Sequence, residues 1–261
     1  MKLLKKLTLL ASVFLCFSAT GCTGGQVGLK EMGDPFPAVQ TSEEWWEEES
    51  GEVDYAALTN HLTQVTMKGM VTIKGVGGLG SGFIYTCDED EYYVLTNNHV
   101  VYNTQLWGGE FTVVDCYGTQ TIGEYLCGNA DYDLAILKFD RGRNELNPIE
   151  FAQSNPVVGQ EVVSLGSPYG QVNAITYGKV LGYKYGYIQN NAASAVRFDC
   201  IEHDAWMAIG SSGGLLTDVF CKAVGVNFAI VPYAATGAFK SGMTVPVEKV
   251  KEFLALQGYT F

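Results

Sequence analysis

From Met67 onward the chain breaks into short β-rich runs separated by Gly, Asn and Asp, and this punctuation limits what it can build. Six runs precede Asn147-Pro148: Met70–Ile73, Gly82–Thr86, Tyr92–Thr96, Phe111–Val114, Thr119–Leu126 and Leu134–Phe139. Six more follow: Glu161–Leu165, Ile175–Tyr185, Ala195–Ile201, Leu215–Thr217, Ala223–Ile230 and Met243–Val245. Short strands at this spacing, with turn residues between them, indicate an all-β barrel or sandwich. Pro246–Leu256 departs from the pattern. There Val247, Val250 and Leu254 share one face at 3.6-residue periodicity, so a closing helix is expected.

The N-terminal segment has another logic. Lys2, Lys5 and Lys6 precede an apolar stretch, Leu7–Phe17, and then Ala19-Thr20-Gly21-Cys22. A basic start followed by a short apolar run reads as a secretory leader, too short to stay as a spanning helix. Small residues directly before a cysteine look like a lipobox and predict lipidation of Cys22 with loss of residues 1–21, so the chain is expected to be exported and held at a membrane surface. Residues 23–54 hold Gly, Pro and acid with little periodicity, including Glu43, Glu44, Glu47, Glu48 and Glu49 around Trp45-Trp46. They suit a flexible tether, followed by a short helix over Tyr55–Val65. The expected organisation is thus a leader over 1–21, a tether and helix over 22–66, and a folded domain over 67–261.

Charge excludes one class of partner. The formal net charge is −12, and removing the three leader lysines leaves 13 basic residues against 28 acidic, or −15. Nucleic acid needs a basic footprint for its phosphates, so it is not an expected partner. Beyond Cys22, five cysteines remain in the expected fold, Cys87, Cys116, Cys127, Cys200 and Cys221, and an odd number leaves at least one unpaired. No C-x-x-C spacing exists to suggest a metal site, and an exported address permits a bridge that the sequence does not assign.

Chemistry enters with the run Gly210-Ser211-Ser212-Gly213-Gly214. A serine hydroxyl needs an adjacent base before it becomes a nucleophile at neutral pH. Two upstream segments supply candidates, Leu95-Thr96-Asn97-Asn98-His99-Val100-Val101 and Asp133-Leu134-Ala135-Ile136-Leu137-Lys138. His99 follows an apolar strand, whose end can present it to a cleft as general base. Asp133 opens an apolar strand and can be buried, which suits it to orient an imidazole; Asp131 reads as a turn residue. Ser212 has two glycines after it and one two positions before it, so it is preferred over Ser211 as nucleophile. His61 reads as a surface residue ahead of the domain, and His203 as a pocket neighbour rather than a base.

With those three segments, Gly80-Ser81-Gly82-Phe83-Ile84, Leu165-Gly166-Ser167-Pro168-Tyr169-Gly170 and Ile201–Ser212, the chain resembles the HtrA (Deg) family of proteases over roughly residues 67 to 256. The resemblance implies a chymotrypsin/trypsin-like fold: two six-stranded antiparallel β-barrels, about 67–147 and 148–245, a C-terminal helix over 246–256, and an active site in the cleft between barrels. It implies a serine endopeptidase acting on extracytoplasmic, unfolded polypeptides through His99, Asp133 and Ser212, with no cofactor or metal and with homo-oligomers common among relatives. The N–H groups of Gly210 and Ser212 are the implied oxyanion donors, and Val226, Asn227 and Phe228 the implied edge strand for substrate. Trp206, six positions before Ser212, is implied at the base of the P1 pocket, where an indole favours small or medium apolar residues and gives Lys or Arg no counter-charge. The chain ends soon after the closing helix, so the PDZ domain of many relatives is not expected.

One departure stands out. Relatives carry Asn-Pro before the first glycine of the serine motif, and this chain has Ala208-Ile209. Without proline to restrict the loop, the oxyanion donors are expected to be less rigidly set. That keeps open a second reading, an inactive or gated protease fold that binds peptides. An esterase with the same three residues would place its histidine last in an α/β-hydrolase pattern, contrary to the order here.

Overall fold

The structure, a computed structural model, describes residues 46–47, 52–76, 78–171, 174–186 and 191–259. The leader, Cys22 and most of the acidic segment lie outside the described residues. β1 (Trp46–Glu47) pairs with β2 (Glu52–Val53) ahead of helix α1 (Tyr55–Gln64). Six strands then close into one barrel: β3 (Met70–Gly75), β4 (Gly78–Cys87), β5 (Glu91–Thr96), β6 (Phe111–Val114), β7 (Gln120–Asn129) and β8 (Leu134–Asp140). Six more close a second: β9 (Glu161–Gly166), β10 (Ala174–Tyr185), β11 (Asp199–His203), β12 (Leu215–Asp218), β13 (Ala223–Pro232) and β14 (Phe239–Pro246). All pairings within the barrels are antiparallel. Helix α3 (Val247–Leu256) follows and buries Val247, Val250, Phe253 and Leu254.

Side chains on a strand alternate between faces, and in the first barrel both faces are buried. Val71, Ile73, Ile84, Tyr92, Val94, Ala135 and Leu137 form one cluster. Their alternates Met70, Phe83, Leu95, Leu134 and Ile136 join a second cluster with Val163, Leu165, Leu215 and Val226 of the other barrel. The larger cluster is therefore a seam between the two barrels. Closure needs bends, and register shifts at Ile84/Thr86 and Tyr125/Cys127 provide them, as a bulge increases local twist.

Two of the expected elements differ in the structure. The run Ala195–Ile201 was expected to be a strand, yet β11 begins only at Asp199. Val196 is buried, but the Ala195 N–H donates to Ala130 O in the other barrel, so residues 195–198 pack as a loop and only the end of the run pairs as a strand. Helix α1, expected ahead of the folded domain, lies in its core. Asp54 caps it by accepting from the N–H groups of Ala56 and Ala57, and Leu58 and Leu62, one turn apart, are fully buried in the seam. His61 on the same helix is half-buried rather than a surface residue; burial first, and the Lys222 charge second, lower its pKa. The five cysteines are free thiols, and burial pushes that of Cys200 up to about 12.

If α1 belongs to the cooperative core, Leu58→Ala and Leu62→Ala should each cost about 2–5 kcal/mol in urea unfolding, the usual range for emptying a buried leucine site. An unchanged midpoint in both variants would place α1 outside the core.

Candidate active site

Where β5 ends, Asn97 stands as N-cap of helix α2 (Asn98–Trp107), so His99 occupies the first helical turn and not the end of a strand. Asn97 is a favoured capping residue, but its side chain makes no capping bond; its Nδ2 donates to the main-chain oxygen of Asp133 at 2.8 Å. The Asp133 carboxylate caps the helix in its place. Oδ1 accepts the His99 N–H at 2.9 Å, and Oδ2 lies 2.7 Å from His99 Nδ1. The positive end of a helix favours an anion, so one carboxylate orients the ring and stabilises the element that carries it.

Asp133 is fully buried and adopts φ 51°, a left-handed conformation that Asp tolerates better than most residues. A buried carboxylate needs several donors, and a third comes from the second barrel: Ser194 Oγ donates to Oδ2 at 2.9 Å. Asn98 Nδ2 donates to Ala193 O, so the 193–195 segment holds the His99 helix and the Asp133 turn together. The short contact engages Nδ1 of the ring, and no bond to Nε2 is found among the described residues. Asp131 is exposed and its N–H donates to Asn129 Oδ1, in keeping with a turn residue.

The serine loop lies between β11 and β12. Ser211 is buried and its Oγ accepts the Ala208 N–H at 3.2 Å. Ser212 is half-buried, with Oγ 3.5 Å from Phe228 O, and is the more accessible hydroxyl. Gly213 has φ 82°, and a Cβ there would come 2.1 Å from Ser81 O, so backbone approach excludes any side chain. The amides of Ser211, Gly213 and Gly214 donate to Ala208 O, Asn227 O and Ser211 O. Those of Gly210 and Ser212 donate to no acceptor among the described residues, and free N–H groups beside a serine are what an oxyanion requires.

The turn does not need proline for its shape. Ile209 O accepts the Tyr169 N–H at 2.7 Å and Ala208 O accepts the Ser211 N–H at 2.9 Å. Buried Ser81 of β4 holds two further carbonyls: its Oγ donates to Gly210 O and its N–H to Ser212 O, each at 2.7 Å. Ser81 Oγ also accepts the Ser167 N–H at 2.8 Å, and Ser81 O accepts Thr96 Oγ1. The expected looseness at Ala208-Ile209 is thus countered by hydrogen bonds from outside the loop. Neither Ser81 nor Ser194 was singled out from the sequence; Ser81 sits in the quoted Gly80–Ile84 segment, and Ser194 carries no local signal.

The expected edge strand needs correction. Val226 and Asn227 lie inside the barrel wall: Val226 pairs with both Leu215 and Val245, and Asn227 gives its N–H to Gly214 O and receives that of Gly213. The Asn227 side chain is buried and tied to Ser164, Leu215 and Thr244. Phe228 sits at a register shift, and from there β13 has β14 on one side and, among the described residues, no strand on the other. The open edge therefore starts at Phe228 and runs towards Ile230. Trp206 is half-buried, its carbonyl accepting Thr176 Oγ1 at 2.8 Å. His203 is fully buried with Nε2 3.0 Å from Thr244 Oγ1, and burial pushes its pKa down to about 4.

Comparison with known proteins agrees with this architecture. The family described as "Trypsin-like peptidase domain" matches residues 80–226. The chain is an HtrA-like member of the trypsin-like peptidase family. It is 32% identical to Protease Do-like 5, chloroplastic, of Arabidopsis thaliana over 185 residues, covering 67% of this chain and 55% of that one. It is also 32% identical to a probable periplasmic serine endoprotease, DegP-like, of Brucella suis, covering 58% of this chain and 27% of that one. The chain thus spans about half or less of these relatives' length. The crystal structure of Deg5 superposes with a TM-score of 0.61 at 28% identity, covering 82% of this chain and 99% of that one.

In this trypsin-like peptidase the buried His203 links pH to stability. An unfolded histidine titrates near ~6.5, so between that value and about 4 the unfolded chain binds more protons than the folded one. The stability of the neutral buried ring is full above that window and is lost as pH falls through it. His203→Gln should flatten the acid limb of urea-unfolding stability by about 3 kcal/mol between pH 7 and 4. Parallel limbs for the two proteins would refute a neutral buried ring.

Proposed function

We propose that this trypsin-like peptidase is a serine endopeptidase in which His99 is the general base, Asp133 its orienting carboxylate and Ser212 the nucleophile. The observation that carries the reading is Asp133 bonded to both the Nδ1 and the N–H of His99, in a fold whose Ser212 loop leaves two amides free. His99 Nε2 takes the Ser212 hydroxyl proton as Oγ attacks the substrate carbonyl carbon. The carbonyl oxygen gains the negative charge and is held by the N–H groups of Gly210 and Ser212. His99 then gives its proton to the departing amine, the C–N bond breaks, and an ester on Ser212 remains. Water repeats the sequence: His99 takes its proton, its oxygen attacks the ester, and Ser212 leaves with the proton restored.

Substrates in this reading are extracytoplasmic, unfolded polypeptides, because an extended segment can add to the open edge at Phe228–Ile230. Trp206 lies at the base of the P1 pocket and favours small or medium apolar residues over Lys or Arg, which would lose hydration without a counter-ion. The leader and Cys22 support export and attachment through a lipid, and the resemblance supports self-association.

A fluorophosphonate should label Ser212, and Ser212→Ala should lower kcat on an unfolded protein by several orders of magnitude, on the order of 10^6. Ser211→Ala should keep substantial activity; the reverse outcome would shift the nucleophile by one residue. For the address, Cys22→Ala should move the protein from the membrane fraction to the soluble one. An unmodified N-terminus on soluble wild-type protein would end the lipoprotein reading.

A further inference from the structure

Three apolar side chains stand in solvent beside the Ser212 loop. Ile209, directly before Gly210, is 75% exposed, Tyr169 is 68% exposed and Leu79 is 39% exposed. They come from separate segments, the serine loop, the turn after β9 and the start of β4, but the backbone brings them together. The Tyr169 N–H donates to Ile209 O at 2.7 Å. A Cβ built on Gly210 would meet Leu79 Cδ1 at 3.0 Å and Tyr169 N at 3.2 Å, and one on Gly170 would meet Leu79 Cδ2 at 3.4 Å. Tyr169 also adopts φ 53° and ψ 23°, a left-handed conformation that is uncommon for an aromatic residue. Strain of this kind persists where the surroundings impose it, and it collects at binding sites. Here it holds a ring out in water, where burial gives nothing back.

What flanks Ser212 decides which part of a substrate meets this patch. On one side is β13, with Phe228 O 3.5 Å from Ser212 Oγ and an open edge beyond it for the acyl half. On the other side is β4, where the Ser81 N–H donates to Ser212 O and Leu79 lies two residues earlier on the strand. A chain crossing Ser212 away from β13 therefore passes Leu79, Tyr169 and Ile209 as it enters its leaving half.

We propose that Leu79, Tyr169 and Ile209 form an apolar subsite for the residues immediately C-terminal to the cut bond, so that the enzyme selects segments with a bulky apolar residue there. The proposal rests on the endopeptidase reading above and names its substrate class more narrowly. Such segments are buried in folded proteins and exposed when proteins unfold.

The test uses internally quenched peptides with one acyl half and with Leu, Phe, Ser or Asp at the first two leaving positions. Leu and Phe peptides should show kcat/KM about tenfold above Ser and Asp peptides, as partial burial of an apolar side chain allows. The Leu79→Ser, Tyr169→Ser double variant, checked for folding by its melting curve, should reduce that ratio to about twofold or less. Should the variant not fold, the wild-type profile decides alone. Fluorophosphonate labelling of wild-type Ser212 separates the two ideas: labelling with a flat profile overturns the subsite only, whereas no labelling overturns the endopeptidase reading. A flat profile with self-association that the double variant abolishes would assign the patch to a contact between copies and likewise overturn the proposal.

Discussion

The Asp133 carboxylate is the point on which the site depends. It is a carboxylate without solvent, and such a group is tolerated only when donors surround it. Those donors are the backbone and ring of His99 at the start of α2 and the hydroxyl of Ser194. Satisfying one ion therefore fixes the entry of a helix, the orientation of an imidazole and the docking of a segment from the other barrel. Asn97 completes the arrangement by bonding the Asp133 main chain, which releases it from capping its own helix.

Ser81 plays the corresponding part for the serine loop. Carbonyls at Gly210 and Ser212 are each tied to it, so their peptide planes are set from the first barrel and not from within the loop. This explains how Ala208-Ile209 can stand where relatives have Asn-Pro. Shape that proline would impose through its ring is supplied by partners outside the loop.

Much of the fold was legible because the strand signal is simple. β-branched and aromatic runs bounded by Gly, Asn and Asp located all twelve barrel strands, and two of the three motifs contain His99 and Asp133, which bond to each other in the structure. Failures have particular causes. Asn97-Asn98 is a fair helix start, but Val100-Val101-Tyr102 after it favours strands, and the true cap, Asp133, lies 34 residues downstream of His99. Ala195-Val196 reads as strand because Val196 is buried, yet burial against another element needs no ladder. Leu58 and Leu62 mark an apolar helix face without saying what covers it. Val226 and Asn227 were placed at an edge because the sequence does not show that β12 and β14 flank Val226 or that Gly213 and Gly214 occupy the backbone groups of Asn227.

The seam that joins Leu95 and Ile136 of one barrel to Leu165 and Val226 of the other has a consequence for assembly. Neither barrel holds enough of the site to act, and Ser81 and Ser194 bond across the divide only when the barrels have met. A copy caught midway through folding, or one whose barrels have parted, loses the third donor to Asp133 and the anchors of the serine loop in the same event. Assembly of the site is thereby interlocked with completion of the fold, and a half-made molecule lacks both the Ser194 bond to Asp133 and the Ser81 bonds to the serine loop.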